Sequence, residues 1–425
     1  MNVKTDKDKE LFKNILKADE IIIDLLANNY IEQDNKTIAW GRFIGNSQEK
    51  QIGIYGTCSA LSTIPRNKRE SKRGYEFIDS MFKDNVLVTK QPKDSTLIYK
   101  LIHLLFAYKS DRNKLEILLN SLMKRKLISH SWGYYYVDEQ LKDEKPRIIP
   151  TALVLSIILS DKDIYIKYKN EVDLSVEWLL NSRPNVISLD LTTNALVLLV
   201  FVQYLPYLQV DSAYISTLKE QIKDITDELR SKIKIKFLKD KYNVIDIDDY
   251  QSWDPIEKKG KSNYYYFLPH LLIALSFIKL VKLTENSSMS IKITLSNNKL
   301  NFIKRYIANV LNYYTLSIIT SNGLIRPNTN NEKACVDQFW CHLLFSEFEN
   351  QKSVHKINFK QIRKKYFAFI PLVITLILYG IYLYYNWKLE EELPKHLVVM
   401  FIGILIIQPI LNILCNVISS IFTSE

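Results

Sequence analysis

An acidic segment in the second half of the chain is the clearest candidate for chemistry. Asp246, Asp248 and Asp249 lie in the stretch NVIDIDDYQSWDP, which begins at Asn243. A carboxyl group held in a dry, aromatic pocket has a raised pKa and can protonate an apolar substrate, while neighbouring carboxylates tune its acidity. The same residues also suit a solvated loop. We favour the loop, because the segment lies in what reads as an insertion between helices.

A second group of residues has the types that bind zinc. Cys335, Asp337, Cys341 and His342 lie at the start of one apolar helical segment. Asp337 and Cys341 are four residues apart and share a helix face, but His342 points about 100° away from Cys341. We therefore expect core packing here, with no metal site and no cofactor. No nucleophile elbow and no glycine-rich phosphate loop occurs in the sequence.

Composition and charge narrow the class of protein. The chain has 425 residues, 47% of them hydrophobic, but only 10 Gly and 12 Pro, which argues against a β-rich fold. The net charge is +11, but the basic residues form no stripe interleaved with aromatics, so no nucleic-acid partner is expected. The four cysteines form no CxxC pair and indicate a reducing compartment. The N-terminal residues have no apolar signal-peptide core, so we expect the body in the cytoplasm.

The last part of the sequence predicts a membrane anchor. Residues 366–387 and 397–422 are two uncharged, apolar runs, each long enough as a helix to cross a bilayer. The basic linker 351–365 precedes them. Positive charge beside a membrane span favours the cytoplasmic side, so we expect the hairpin to begin and end on the cytoplasmic face of the inner membrane. Polar side chains recur every fourth residue in the second run, at Gln408, Asn412 and Asn416. They either pair with the first helix or make a contact between copies of the chain, which would form a homo-oligomer.

Residues 1–350 read as a helical repeat. Segments that are apolar all round alternate with amphipathic helices, an arrangement that two concentric rings of helical hairpins satisfy. The sequence therefore predicts an all-α fold, an (α/α)6 toroid followed by the two transmembrane helices, with insertions at 204–265 and 280–300. The predicted inner segments are YGTCSALSTI, DSTLIYKLIHLLFAY, IPTALVLSIIL, LTTNALVLLVFVQYL, YYFLPHLLIALSFIKL and CVDQFWCHLLFSEF.

The stretch LLNSLMKRKLISHSWGYYYVDEQLKDEKPRIIPTALVLSIIL, from Leu118 to Leu159, has the format of one such hairpin repeat. It resembles the prenyltransferase/terpene-cyclase α/α toroid superfamily, and the resemblance extends over roughly residues 10–350. It implies a toroid and, as one activity, terpenoid cyclisation with Asp246, Asp248 and Asp249 as the acid motif. In that superfamily the motif is commonly followed by Thr, whereas here Tyr250 follows Asp249.

Aromatic loops near the predicted toroid mouth favour a ligand-binding cavity. We expect a sensor or effector, leaning away from an enzyme, that binds a small apolar ligand or a protein. The specific form we favour is a membrane-perturbing bacterial defence effector that oligomerises through its hairpin. The alternative is a membrane-associated terpenoid cyclase or prenyl-lipid-processing enzyme. The predicted cavity residues are Trp132, Tyr134, Trp253, Tyr265, His270, Asp337 and Trp340.

Overall fold

The computed structural model describes most of the first 350 residues. The chain divides into two compact units, Asp6–Lys356 and Met1–Thr5 with Ile357–Glu425, and the described residues all lie in the first. The predicted hairpin at 366–422 is therefore outside the described part. Within that part, no helix has the length and apolar character needed to cross a membrane. The described residues are 6–44, 52–83, 86–87, 98–124, 126–133, 145–182, 190–209, 214–233, 235–237, 243–245, 252–258, 261–285, 291–326 and 332–350.

Six helices form an inner ring. Each contacts the next helix of the set, and the last contacts the first, so the ring closes. They are α2 (Ile54–Thr63), α4 (Ile98–Ala107), α6 (Ile148–Ile158), α9 (Leu191–Tyr204), α11 (Pro269–Glu285) and α13 (Cys335–Glu349). The composition of these helices explains why they form the inner ring. Helix α6 reads IIPTALVLSII, and every residue from Pro150 to Ile158 is buried. A helix that is apolar all round is stable only when other elements cover it on every side.

Six amphipathic helices pack around this ring. In α12, for example, buried residues recur at three- and four-residue spacing, as Ile303, Ile307, Leu311, Tyr314 and Ile318 do. The predicted helical α/α toroid is thus confirmed for the described residues. The outer helices and their inner partners are α1 (Asp6–Asn28) on α13, α3 (Arg69–Asp79) on α2, α5 (Arg112–Lys124) on α4, α8 (Lys169–Ser182) on α6, α10 (Tyr214–Lys232) on α9 and α12 (Asn297–Ser321) on α11. A short helix, α7 (Lys162–Lys167), precedes α8, and a 3-10 turn (Leu205–Tyr207) follows α9.

The inner helices begin at the same end of the ring. Short turns join α2 to α3 and α4 to α5, and each of these outer helices packs against the inner helix before it. Helices joined in this way run antiparallel, so each outer helix returns the chain to the starting end. We call the end where the inner helices begin the upper end, and the end where they finish the lower end.

The loop before an inner helix is bonded to that helix in the same way at three places. The fourth residue of α2, α6 and α13 is polar, and its side chain bonds both backbone groups of one loop residue. This recurring contact marks an internal structural repeat. The N–H of Trp40 donates to Thr57 at 3.0 Å, and the Thr57 hydroxyl lies 3.3 Å from the Trp40 carbonyl oxygen. For Trp132 and Thr151 the same two distances are 2.9 and 3.2 Å. For Leu324 and Gln338 they are 2.9 and 2.8 Å.

Two tryptophans link the end of an outer helix to the start of the next inner helix. The Nε1–H of Trp40 donates to the carbonyl of Leu26 in α1 at 2.8 Å, and that of Trp132 donates to Leu122 in α5 at 3.1 Å. The last carbonyls of a helix have no partner within the helix, so these indoles satisfy groups that burial would otherwise leave unbonded. Both tryptophan side chains are fully buried.

Short antiparallel strand pairs lie in the loops between helices. The pair β3–β10 joins the segments that precede α2 and α13, where the ring closes. Strands β6 to β9 fall largely in the predicted insertion at 204–265. The pairs are β1 (Ile31–Glu32) with β2 (Ile38–Ala39), β3 (Phe43–Ile44) with β10 (Lys333–Ala334), β4 (Phe82–Lys83) with β5 (Val86–Leu87), β6 (Ile235–Phe237) with β7 (Asn243–Ile245) and β8 (Ser252–Lys258) with β9 (Lys261–Phe267).

Candidate functional site

Several predicted site residues lie outside the described part of the chain. These are the acidic residues Asp246, Asp248 and Asp249, the cavity residue Tyr134, and the hairpin amides Gln408, Asn412 and Asn416. Trp253 and Tyr265 lie on β8 and β9, but their side chains are outside the described part as well. The proton-donor, oligomer-contact and cavity roles of these residues stay predictions.

Two of the predicted cavity residues take part in packing between inner and outer helices. Trp132 bonds the end of α5 to the start of α6, as described above. His270 is fully buried in the first turn of α11, and its Nδ1 is hydrogen-bonded to the hydroxyl of Tyr306 in the outer helix α12. The His270 side chain therefore points away from the ring axis.

Asp337 forms a buried ion pair where the ring closes. The Nε and Nη2 atoms of Arg326 donate to its two carboxylate oxygens at 3.0 and 3.2 Å, and only 1% of the Asp337 and 6% of the Arg326 side chain is exposed. The Arg326 guanidinium also lies 5.3 Å from the ring centre of Phe43 on β3. Burial raises the pKa of the Asp337 carboxyl, and the nearby charges of Arg326 and Arg42 oppose that rise. The two-point geometry indicates a contact that holds α13 to the loop before it.

Trp340 points toward the ring axis. His342, two residues later in α13, is bonded through Nδ1 to Asp19 of the outer helix α1 at 2.7 Å, so that face of α13 is directed outward. Two residues correspond to about 200° around a helix, which turns Trp340 to the opposite face. Only 5% of Trp340 is exposed, and its Nε1–H has no hydrogen-bond partner within the described residues.

Aromatic side chains surround Trp340 inside the ring. Phe106 of α4 lies 5.8 Å from the Trp340 ring and 5.0 Å from Phe339, although α2 stands between α4 and α13 in the ring order. His103 of α4 lies 6.1 Å from Phe339, and burial lowers the pKa of His103 to about 3, so it is neutral at pH 7. We call Phe106, Phe339, Trp340 and His103 the aromatic cluster. It presents apolar ring faces and one indole donor.

Other unbonded polar atoms face the axis as well. Asn194 of α9 bonds Glu228 of the outer helix α10 at 3.1 Å, which fixes the outward face of α9. Thr192 and Gln203 lie about 200° and 180° around the helix from Asn194 and so face inward. The hydroxyl of Thr192 and the amide oxygen of Gln203 are buried without a hydrogen-bond partner in the described structure. Buried polar atoms are nearly always bonded, so each of these atoms leaves hydrogen-bonding capacity unused within the described residues.

Charged side chains meet at the lower end of the ring. The Nζ of Lys279 in α11 lies 2.5 Å from an oxygen of Glu347 in α13, and both side chains are mostly buried. Lys109 follows the end of α4, and burial, together with the charge of Lys279, lowers the pKa of its amine. None of these three residues was predicted from the sequence. The available signal was Lys279 itself, a charged residue inside an otherwise apolar inner segment.

The thiols in the described part are buried and protonated. Cys58, Cys335 and Cys341 are free, and burial raises the pKa of each, that of Cys335 to about 12. A thiol with a raised pKa is a poor nucleophile and a poor metal ligand. Within the described residues, no group of three or more His, Cys, Asp or Glu side chains is placed to hold a metal ion.

Comparison with known proteins adds little. No protein-family model and no curated protein matches the chain. A crystal structure of "a possible member of GH105 family" from Salmonella enterica serovar Paratyphi A is similar, with a TM-score of 0.45 and 10% identity, over 81% of this chain and 94% of that one. A likeness at this level gives no information on activity.

Proposed function

We propose that this protein is a ligand-binding toroid, anchored in the inner membrane by its C-terminal hairpin, that acts as a sensor or effector. In this proposal a small ligand with an apolar body binds in the ring interior beside the aromatic cluster. Its binding changes how hairpins of neighbouring copies associate in the membrane. A defence effector that perturbs the membrane is the specific form that we favour.

The indole N–H of Trp340 supports the proposal most directly. It is a buried donor that has no partner among the described residues, it faces the ring axis, and aromatic rings flank it. An unbonded buried donor costs roughly 1–3 kcal/mol, a loss that a ligand with an acceptor atom would recover. The flanking rings of Phe106 and Phe339 suit an apolar or aromatic ligand. The sensing domain would then be the toroid, and the predicted hairpin would be its output.

Replacing Trp340 with Phe tests the ligand-binding part. The full-length protein, purified in mild detergent, is analysed by native mass spectrometry for small molecules that remain bound. We expect the Trp340→Phe variant to retain at least about fivefold less of the bound molecule, because one hydrogen bond of about 1 kcal/mol is lost.

Trp132→Phe is the matched control. It removes an indole N–H that is bonded to the Leu122 carbonyl, so it should lower the free energy of unfolding by about 1–3 kcal/mol more than Trp340→Phe does, since a buried carbonyl is left unbonded. The folded fraction of Trp132→Phe should keep the bound molecule. A wild-type protein that carries no small molecule, or equal retention by wild type and Trp340→Phe, would contradict the proposal.

The hairpin part is tested by replacing Gln408, Asn412 and Asn416 together with Leu. Interhelical hydrogen bonds in membranes average about 0.6 kcal/mol, so losing three should weaken self-association about 20-fold. Cross-linking in native membranes measures the oligomer, and growth after induced expression measures membrane damage. The control exchanges Ile410→Leu and Leu414→Ile on the opposite helix face. Unchanged cross-linking and toxicity in the triple variant would remove the hairpin from the proposal.

A further inference from the structure

The aromatic cluster offers no unpaired charge to a ligand. His103 is neutral at pH 7, because burial lowers its pKa to about 3. The nearest acid on either side of the cluster in α13 is already paired with a basic side chain. Asp337 is paired with Arg326 at 3.0 Å. Glu347 is paired with Lys279 at 2.5 Å. A charged ligand would lose its hydration here without gaining a counter-charge, so the cluster favours an uncharged molecule.

The indole of Trp340 requires an acceptor atom on the ligand. An indole N–H can donate a hydrogen bond but cannot accept one. That of Trp340 is buried, and none of the described residues accepts from it. A purely hydrocarbon ligand would leave the donor unbonded, which is unfavourable for a buried polar group. The ligand therefore carries an acceptor within its apolar body.

The half-buried ring of Phe106 borders accessible space inside the ring. Phe106 contacts Phe339 at 5.0 Å and Trp340 at 5.8 Å across the position of α2, so it points into the interior. A side chain that points inward and keeps part of its surface accessible has open space beside it. Both contacts are edge-to-face, with interplanar angles of 64° and 79°. An aromatic ligand can add further contacts of the same kind.

We propose that the aromatic cluster binds an uncharged, planar heteroaromatic molecule, with a ring nitrogen that accepts from Trp340 and a ring that packs against Phe106. The proposal rests on the ligand-binding part of the function proposed above and names the chemical class of the ligand. One rigid body meets the donor and the aromatic rings together, with little loss of conformational freedom on binding. A prenyl chain is apolar but has no acceptor, and it is flexible.

Indole and indazole are matched probes for this class. Both are uncharged bicyclic aromatics with one N–H, but only indazole has a ring nitrogen that accepts a hydrogen bond. Ligand-observed NMR titration of the full-length protein in mild detergent, with the signal from detergent alone subtracted, gives both affinities. Indazole should bind the wild type about fivefold more tightly than indole, because one additional hydrogen bond forms. Trp340→Phe should remove this preference, so that the two probes bind equally.

Phe106→Leu is the control variant that keeps the donor. It should weaken the binding of both probes by about two- to tenfold, since an aromatic contact is lost, and leave the ratio of their affinities unchanged. Circular dichroism confirms that each variant is folded before titration. Two more probes test charge and shape. The carboxylate derivative of indazole should bind the wild type at least about tenfold more weakly than indazole, and the isoprenoid alcohol geraniol should also bind more weakly.

Equal affinity of indole and indazole for the wild type, or a preference that persists in Trp340→Phe, would overturn the proposal. Tighter binding of the carboxylate or of geraniol than of indazole would overturn it as well, as would no indazole binding at millimolar concentration. These outcomes are distinct from failure of the proposed function. If native mass spectrometry finds a retained molecule but indazole shows no preference over indole, the ligand class is wrong and the binding function stands. If no molecule is retained and indazole does not bind, both are wrong.

Discussion

Removing either partner of the Arg326–Asp337 pair is expected to lower the free energy of unfolding by about 3–5 kcal/mol. The variants are Arg326→Met and Asp337→Asn, and urea denaturation followed by fluorescence is the measurement. The expected loss is large because both side chains are almost completely buried, so the remaining partner is left without its counter-charge. The contact also joins α13 to the loop before it, close to the strand pair that closes the ring.

A double variant separates the loss of the pair from the loss of one partner. Arg326→Met combined with Asp337→Leu leaves no buried charge and should recover most of the stability, because apolar replacement of a buried ion pair is often close to neutral. Lys68→Met provides a surface comparison. It removes the partner of Asp24 in an exposed pair at 3.3 Å and should change stability by less than about 1 kcal/mol. If the free energy of unfolding of either single variant stays within about 1 kcal/mol of the wild type, the pair does not stabilise the closure of the ring.

The inner ring could be predicted because its signal is local. In α6 and α9 nearly every residue is apolar or small, and burial on all sides requires that composition whatever the neighbours are. The number of hairpins and the alternation of inner and outer helices followed from counting such segments. The closure of the ring was expected because repeat units that cannot bury their own apolar face need neighbours.

Contacts between distant segments could not be read from the sequence. Asp337 was predicted to line a cavity, but its partner Arg326 lies in the preceding loop, and nothing in the spacing of the two residues identifies a pair. Trp132 was predicted to lie near the mouth, but the bond from its indole N–H to the end of α5 was not part of that prediction. Lys279 and Glu347 come together only after the ring has closed. Each of these outcomes depends on three-dimensional distance, which helical periodicity does not encode.

Gly56→Ala is the second substitution with a large expected effect. Alanine normally stabilises a helix interior by about 1 kcal/mol relative to glycine. At Gly56 we expect alanine to destabilise the protein instead, because an added Cβ would lie 1.9 Å from the carbonyl oxygen of Gly41 and 2.9 Å from that of Trp40. Both of these are backbone atoms. The loop that carries them is bonded on two sides, through Thr57 to Trp40 and through the thiol of Cys335 to the Gly41 carbonyl at 3.3 Å.

The start of α2 therefore has to move away from the 40–41 loop in Gly56→Ala. We expect a loss of at least about 3 kcal/mol in the free energy of unfolding, at or beyond the upper end of ordinary overpacking. Gly53→Ala is the matched control on the same helix, because a Cβ at Gly53 meets no atom within 4 Å. Gly53→Ala should lower the free energy of unfolding by at most about 1 kcal/mol, since alanine is a poorer N-cap than glycine. Equal stability of the two variants would show that the close approach of α2 to this loop does not limit how tightly the ring closes.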